Sequence, residues 1–215
     1  KDDHVIVIGK QESITEIEGM FGGGSNMRSK VMIVGAGTVG FYIASLLAER
    51  GDVDLKIIEA DEDRCVEVAG ALSGALVLHG DGTDEALIRS EGAGAMNVVI
   101  ATTDSDEKNL LCLLLTKQLG AKKVIAKVDR SEYMKLFEIV GIDVALSPKQ
   151  ATIDGVLRVS MGAGVESLAT IEDEQAEIIE LIAAPGSKMT KKTLDRVKFP
   201  KGAIVSAIVR NNDVI

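Results

Sequence analysis

From Lys30 to Ser147 the sequence repeats one pattern: a short aliphatic or β-branched run, then a segment of helical period, then another short run. Six runs read as strands: Val31–Gly35, Asp54–Ile58, Ala75–His79, Asn97–Ala101, Lys123–Val128 and Asp143–Leu146. Val39, Ile43, Leu46 and Leu47 mark a first helix ending at Gly51, and Cys65, Val68, Ala69 and Leu72 mark a second. Thr83 is placed to cap a third, with Asp84 and Glu85 suiting its positive end; Asp104–Leu119 and Ser131–Val140 give a fourth and a fifth. Short strands joined through single helices specify an α/β fold with a parallel sheet covered on both faces. The side chains agree: 46% are hydrophobic but only 3% aromatic, so the core must be Val, Ile, Leu and Ala.

The first strand runs into VGAGTVG, with Gly35, Gly37 and Gly40 in G-x-G-x-x-G spacing. The three glycines serve different physical ends. Gly35 allows the tight turn out of the strand, Gly37 lets the backbone approach a pyrophosphate, and Gly40 permits close helix–strand packing. Amides at the start of the following helix would face the phosphates, aided by the helix dipole. Three glycines alone are weak evidence, but the strand before, the helix after and an acidic residue ending the second strand complete the fingerprint. That residue is Glu59, 19 positions after Gly40. Its carboxylate suits an adenosine ribose and repels a 2′-phosphate, which favours NAD(H) or an adenine nucleotide over NADP(H). The expected fold is thus a doubly wound, Rossmann-type sheet of six strands.

Ligands of such sheets gather at strand C-termini. There HGDGTD offers Asp81 and Thr83, and ATTDSDEKN offers Thr102, Thr103 and Asp104; loop and cap chemistry is the plainer reading of both stretches. Lys127, near the end of the fifth strand, is placed either to reach a phosphate or to be solvated. Cys65 and Cys112 lie in helical segments without a CxxC or metal-type neighbour, which makes them reduced and structural. The two histidines, His4 and His79, both fall in strand-like runs, which disfavours a metal site. A net charge of −9 argues against nucleic acid. No apolar run approaches the roughly 18 residues of a membrane-spanning helix.

After Ser147 comes a helical stretch, Lys149–Met161, and then a region of different character. Ser167–Glu172 and Glu177–Ala183 read as strands, Thr190–Val197 as a short helix, Ala203–Arg210 as a strand, then a turn and a further strand from Val214. This small α+β C-terminal lobe holds no cluster of chemically useful residues, and no catalytic base is evident, so an enzyme is not expected. Ahead of the sheet, Val5–Ile8 is apolar, Ser13–Glu16 reads as a capping box, and Gly22–Asn26 reads as a linker. The missing initiator Met and the abrupt end suggest a piece of a longer chain.

The stretches KVMIVGAGTVGFYIASLLAE, IIEADEDR, VLHGDGTDEALIRSEGAG, VVIATTDSDEKNLLCLLLTKQLGAKKVIAKV and GIDVALSPKQAT, in this order, resemble the nucleotide-binding half of an RCK (regulator of potassium conductance) domain of the TrkA type. Residues 165–215 resemble most of the C-terminal lobe of the same domain. The resemblance implies a domain plan: 1–22, the strand–helix tail of an upstream lobe; 23–29, a linker; 30–147, the nucleotide-binding domain; 148–164, a connecting helix; 165–215, a truncated lobe. It implies a cytoplasmic regulatory subunit, peripheral to the inner face of the cell membrane, that binds NAD(H) or ATP/ADP as a regulatory ligand. Its partner would be a separate, Trk-type membrane potassium transporter, and its copies would pair and assemble into a ring. Carried over by residue, Gly35, Gly37, Thr38, Val39 and Gly40 form the phosphate cradle, and Glu59 binds ribose with Ala60 and Asp61 beside it. Asp81 and Gly82 flank the adenine, while Ala101, Thr102 and Thr103 line the opposite wall. Lys127 stands where the family often carries an arginine, without that residue's bidentate grip. Two other readings share the fingerprint: a fragment of an NAD-dependent oxidoreductase, and the cytosolic regulatory domain of a potassium channel or efflux system. A sharper expectation is that residues 4–21 complete the truncated lobe by permutation, within one chain or by exchange with a neighbour.

Overall fold

The computed structural model describes residues 17, 28–160, 165–171, 176–210 and 213–214. The chain divides into two compact units, Arg28–Met161 and Lys1–Met27 with Gly162–Ile215. The expectation about residues 4–21 falls almost wholly outside the described residues.

In the first unit, strands β1 (Ser29–Val34), β2 (Val53–Glu59), β3 (Ala75–His79), β4 (Val98–Ala101), β5 (Lys123–Lys127) and β6 (Val144–Leu146) form one sheet in the order β3-β2-β1-β4-β5-β6. Every pairing in it is parallel. The helices between them are α1 (Thr38–Arg50), α2 (Glu62–Ala71), α3 (Glu85–Ser90), α4 (Asp106–Leu119) and α5 (Met134–Ile139), and α6 (Pro148–Ser160) follows β6. The doubly wound Rossmann-type sheet read from the alternation is the one observed.

Strand periodicity builds two cores from one sheet. Along β1, Val31 and Ile33 join one buried cluster while Met32 and Val34 join the other. Along β2, Leu55 and Ile57 take the first face and Ile58 the second. Val68 of α2 and Ala44 of α1 close the first cluster; Ile88, Cys112, Leu113 and Phe137, from α3, α4 and α5, close the second. Each fully buried Ile or Leu here is worth about 2–3 kcal/mol of transfer free energy. A strand with apolar residues on both faces has to lie inside such a sandwich, which places β1 at the centre.

Three local expectations are corrected. Thr83 does not cap α3; its N–H and hydroxyl both donate to Asp81 Oδ1 (2.8 Å each), closing a turn. The cap passes to Asp84, whose carboxylate accepts from Ala86 N and Leu87 N. In the C-terminal region the helix expected at Thr190–Val197 is a single 3₁₀ turn, Leu194–Arg196. So short a segment cannot offset the cost of helix nucleation without packing. Of the strand expected over Ala203–Arg210, only β9 (Val209–Arg210) forms, pairing antiparallel with β10 (Asp213–Val214). The hairpin β7 (Val165–Ile171) and β8 (Ala176–Leu181) appears as expected.

Candidate functional site

The strand order reverses between β1 and β4, and a cleft of about 710 Å³ opens there, at the C-terminal edge of the sheet. The glycine turn forms its floor. Gly35 has φ +92°, and a Cβ there would lie 2.8 Å from Thr103 N. At Gly40 a Cβ would lie 2.0 Å from Gly35 O and 2.5 Å from Thr102 Oγ1, so the helix packs on the turn with no room for a methyl group. Gly37 is the opposite case: a Cβ would meet nothing within 4 Å. That open space lies at the N-cap of α1.

The other helices bordering the cleft satisfy their own first amides. Asp61 caps α2, Asp84 caps α3 and Ser105 caps α4, each followed by acidic residues in the first turn. Helix α1 begins at Gly37 with no side-chain cap and no acidic residue in its first turn. Its leading amides and positive dipole end are left for an anion from outside the chain. The residues present therefore fit a phosphate group.

Glu59, at the end of β2, folds over the turn. Its Oε2 accepts from Ala36 N (2.5 Å), and its Oε1 accepts from Ala60 N (2.7 Å) and Asp61 N (3.0 Å). These amides fix the carboxylate at the cleft wall; Oε1 is filled by two bonds, while Oε2, which accepts one, keeps a lone pair for a hydroxyl. Arg64, from the first turn of α2, donates from Nε to Ala36 O (2.8 Å) and from a terminal nitrogen to Glu67 (2.6 Å), with its Cζ over the Phe41 ring, 5.1 Å from the centroid.

Thr103 and the Asp81 turn also line the cleft. The Thr83 amide and hydroxyl hold the Asp81 carboxyl below the usual range against the opposing effect of burial, with Lys108 at 3.8 Å adding a lesser pull. Fully buried Asn109 accepts from Thr103 N (2.9 Å) and Thr103 Oγ1 (2.7 Å) and donates to Lys127 O (3.0 Å). Asp106 similarly accepts from Asp129 N and Arg130 N. The Thr102 hydroxyl is spent on Gly35 O at 2.7 Å. Lys127 lines the cleft with its ammonium already engaged: it pairs with Asp129 (2.7 Å) and donates to Thr103 O (2.9 Å). Burial first, and Asp81 second, push the Cys112 thiol up to about 12, so it stays protonated beneath the cleft.

Of the residues read from the sequence, Gly35, Gly37, Thr38, Val39, Glu59, Ala60, Asp61, Asp81, Gly82, Thr102, Thr103 and Lys127 line one cleft. Gly40 and Ala101 do not: both are buried behind it, Gly40 against the turn and Ala101 in the sheet core. Sequence reasoning passed over Arg64, Lys108 and Asn109. Arg64 carries a signal, a cation five residues beyond the fingerprint carboxylate. Asn109 carries none, because its role depends on β4 and β5 being neighbours.

A family model described as the TrkA-N domain matches residues 31–148. The Trk system potassium uptake protein TrkA homolog 2 of Methanosarcina mazei is 53% identical over 214 residues, covering 100% of this chain and 48% of that protein. The chain thus spans about half the length of the curated relatives it matches. Among solved structures, the TrkA-N domain of the inner membrane protein ybaL from Escherichia coli aligns with a TM-score of 0.56 at 15% identity, covering 63% of this chain and 98% of that one. The GsuK channel bound to NAD aligns with a TM-score of 0.56 at 20% identity, covering 70% of this chain and 26% of that one. At such identities the two structures speak to the fold.

Proposed function

The chain belongs to the TrkA-N domain family, and from that premise we propose that it is a nucleotide-sensing regulatory module of a potassium uptake system. The observation that carries the nucleotide half is the glycine turn: uncapped α1 amides, open space at Gly37 and Glu59 fixed beside them. Gly35, Gly37, Thr38 and Val39 would hold the phosphates of NAD(H) or ATP/ADP, with Gly40 setting the helix behind them. Glu59 would take the ribose, with Ala60 and Asp61 beside it. Asp81 and Gly82 would flank the base, opposite Thr102 and Thr103. Lys127 would meet a distal phosphate only on leaving Asp129.

The potassium half is supported by the names of the relatives, which are Trk potassium uptake proteins. In this reading 30–147 is the sensor, 148–164 a connecting helix and 165–215 part of a further lobe. The partner is a separate membrane transporter, which would hold the module at the cytoplasmic face, and copies of the module pair and build a ring. Ligand binding can shift such an assembly only by favouring one of its shapes.

A sensor leaves its nucleotide unchanged. Among the described residues, the cleft lining holds no histidine or tyrosine to move a proton with a hydride. The test is incubation of the protein with NADH or NAD and a panel of ketoacids and hydroxy acids, followed by absorbance. Binding with no change in cofactor oxidation state supports the reading; turnover above background would sink it in favour of an oxidoreductase.

A further inference from the structure

We propose that Arg64 is a positioning residue for the phosphate cradle, acting through the Ala36 peptide rather than on the ligand. The inference rests on the nucleotide reading and deepens it. The turn Gly35-Ala36-Gly37 has a glycine on each side, so its backbone is intrinsically the loosest part of the site. A phosphate cradle works only if its amides already point the right way, because ordering them during binding subtracts from affinity.

The structure holds this turn by both faces of one peptide residue. Glu59 Oε2 takes the Ala36 N–H, and Arg64 Nε gives a hydrogen bond to the Ala36 carbonyl. The buried Ala36 side chain anchors the residue in the core between them. Gly37, the next residue, begins α1 and accepts from Phe41 N at 2.9 Å, so the orientation of Ala36 passes directly to the leading amides of the helix.

Arg64 is built as a strut. Its Nε is committed to Ala36, a terminal nitrogen to Glu67 one helical turn on, and its face to Phe41 of α1. One guanidinium therefore ties the turn, α1 and α2 together, and the side chain is only 27% exposed. A planar fork with fixed donors suits such bracing, whereas an ammonium offers a point charge.

The experiment titrates wild-type, Arg64→Gln and Arg64→Lys protein with ADP and with adenosine, followed by ligand-observed NMR, alongside thermal unfolding. Adenosine reports the Glu59 side of the site and ADP adds the cradle. For Arg64→Gln we expect ADP to weaken by roughly tenfold, the size of one charge-assisted hydrogen bond, with adenosine changed by less than about twofold. Arg64→Lys keeps the charge and a stem to cover Phe41, so it remains folded even if the glutamine variant does not; it should show the same ADP-selective loss. Equal loss on both ligands would overturn the proposal by making Arg64 a nucleoside contact, and no loss on either would also overturn it. Wild-type protein that binds neither ligand would instead overturn the nucleotide reading, and the clamp with it.

Discussion

The three fingerprint glycines are chemically identical and structurally different, and substitution separates them. A methyl group at Gly40 has to displace Gly35 O or the Thr102 hydroxyl, so Gly40→Ala should destabilise the fold by at least the ~1–3 kcal/mol typical of overpacking. Gly37 has an unoccupied space beside it and a φ of −60° that any residue accepts, so Gly37→Ala should leave stability within about 0.5 kcal/mol. Chemical denaturation of the two variants measures the contrast; equal losses would contradict it. The glycine spacing, read with the strand before it, already anticipated the turn at Gly35 and the close packing at Gly40, because both are consequences of local chain geometry. The destination of the Lys127 ammonium was not legible. It depends on Asp129, two residues away, and on the Thr103 carbonyl, which only the pairing of β4 with β5 brings within reach.

At the scale of elements, side chains of α4 fasten the C-terminal ends of β4 and β5. Asn109→Leu removes the partner of Thr103 N and Lys127 O inside a buried site, which should cost about 2–4 kcal/mol. It should also loosen the cleft wall, visible as faster amide exchange at Thr103 than in a control variant at an exposed α4 position. The other end of the sheet has its own fastening. Burial opposes ionisation of Asp143, but its bond to Lys117 (2.6 Å) and that from Val124 N (2.8 Å) prevail and hold its carboxyl below the ordinary value. A depressed carboxylate contributes in full above its unfolded pKa of about 4 and loses the contribution as pH falls through the folded value. The stability gap between wild type and Asp143→Asn should therefore be constant above about pH 5 and narrow towards about pH 2; a gap independent of pH would refute the assignment. Helix and strand positions were readable because short apolar runs alternate with segments of helical period. The Thr83 cap was misread because Asp81 takes the Thr83 amide and hydroxyl while Asp84 takes the helix amides, and spacing alone does not decide which neighbour serves as the cap. The strand expected over Ala203–Arg210 was overextended because β propensity makes a strand only where a partner lies alongside.

Across the molecule, both buried clusters lie within residues 31–145, inside the unit Arg28–Met161. That unit carries its own core and its own cleft, so a protein of residues 28–161 should unfold cooperatively and keep the nucleotide affinity of the full chain; loss of cooperativity would show that the core is completed elsewhere. The family membership, the uncapped α1 amides and the fixed Glu59 converge on one claim, that this cleft binds an adenine nucleotide through the glycine turn. Titration calorimetry of the wild-type chain and of Gly37→Val with NAD, NADH, ADP and ATP tests it directly. The account predicts saturable binding of at least one of these nucleotides at one site per chain, weakened at least tenfold in the valine variant, whose side chain fills the space left open at Gly37 while the fold stays intact. No binding by the wild type, or binding that the valine leaves unchanged, would contradict it.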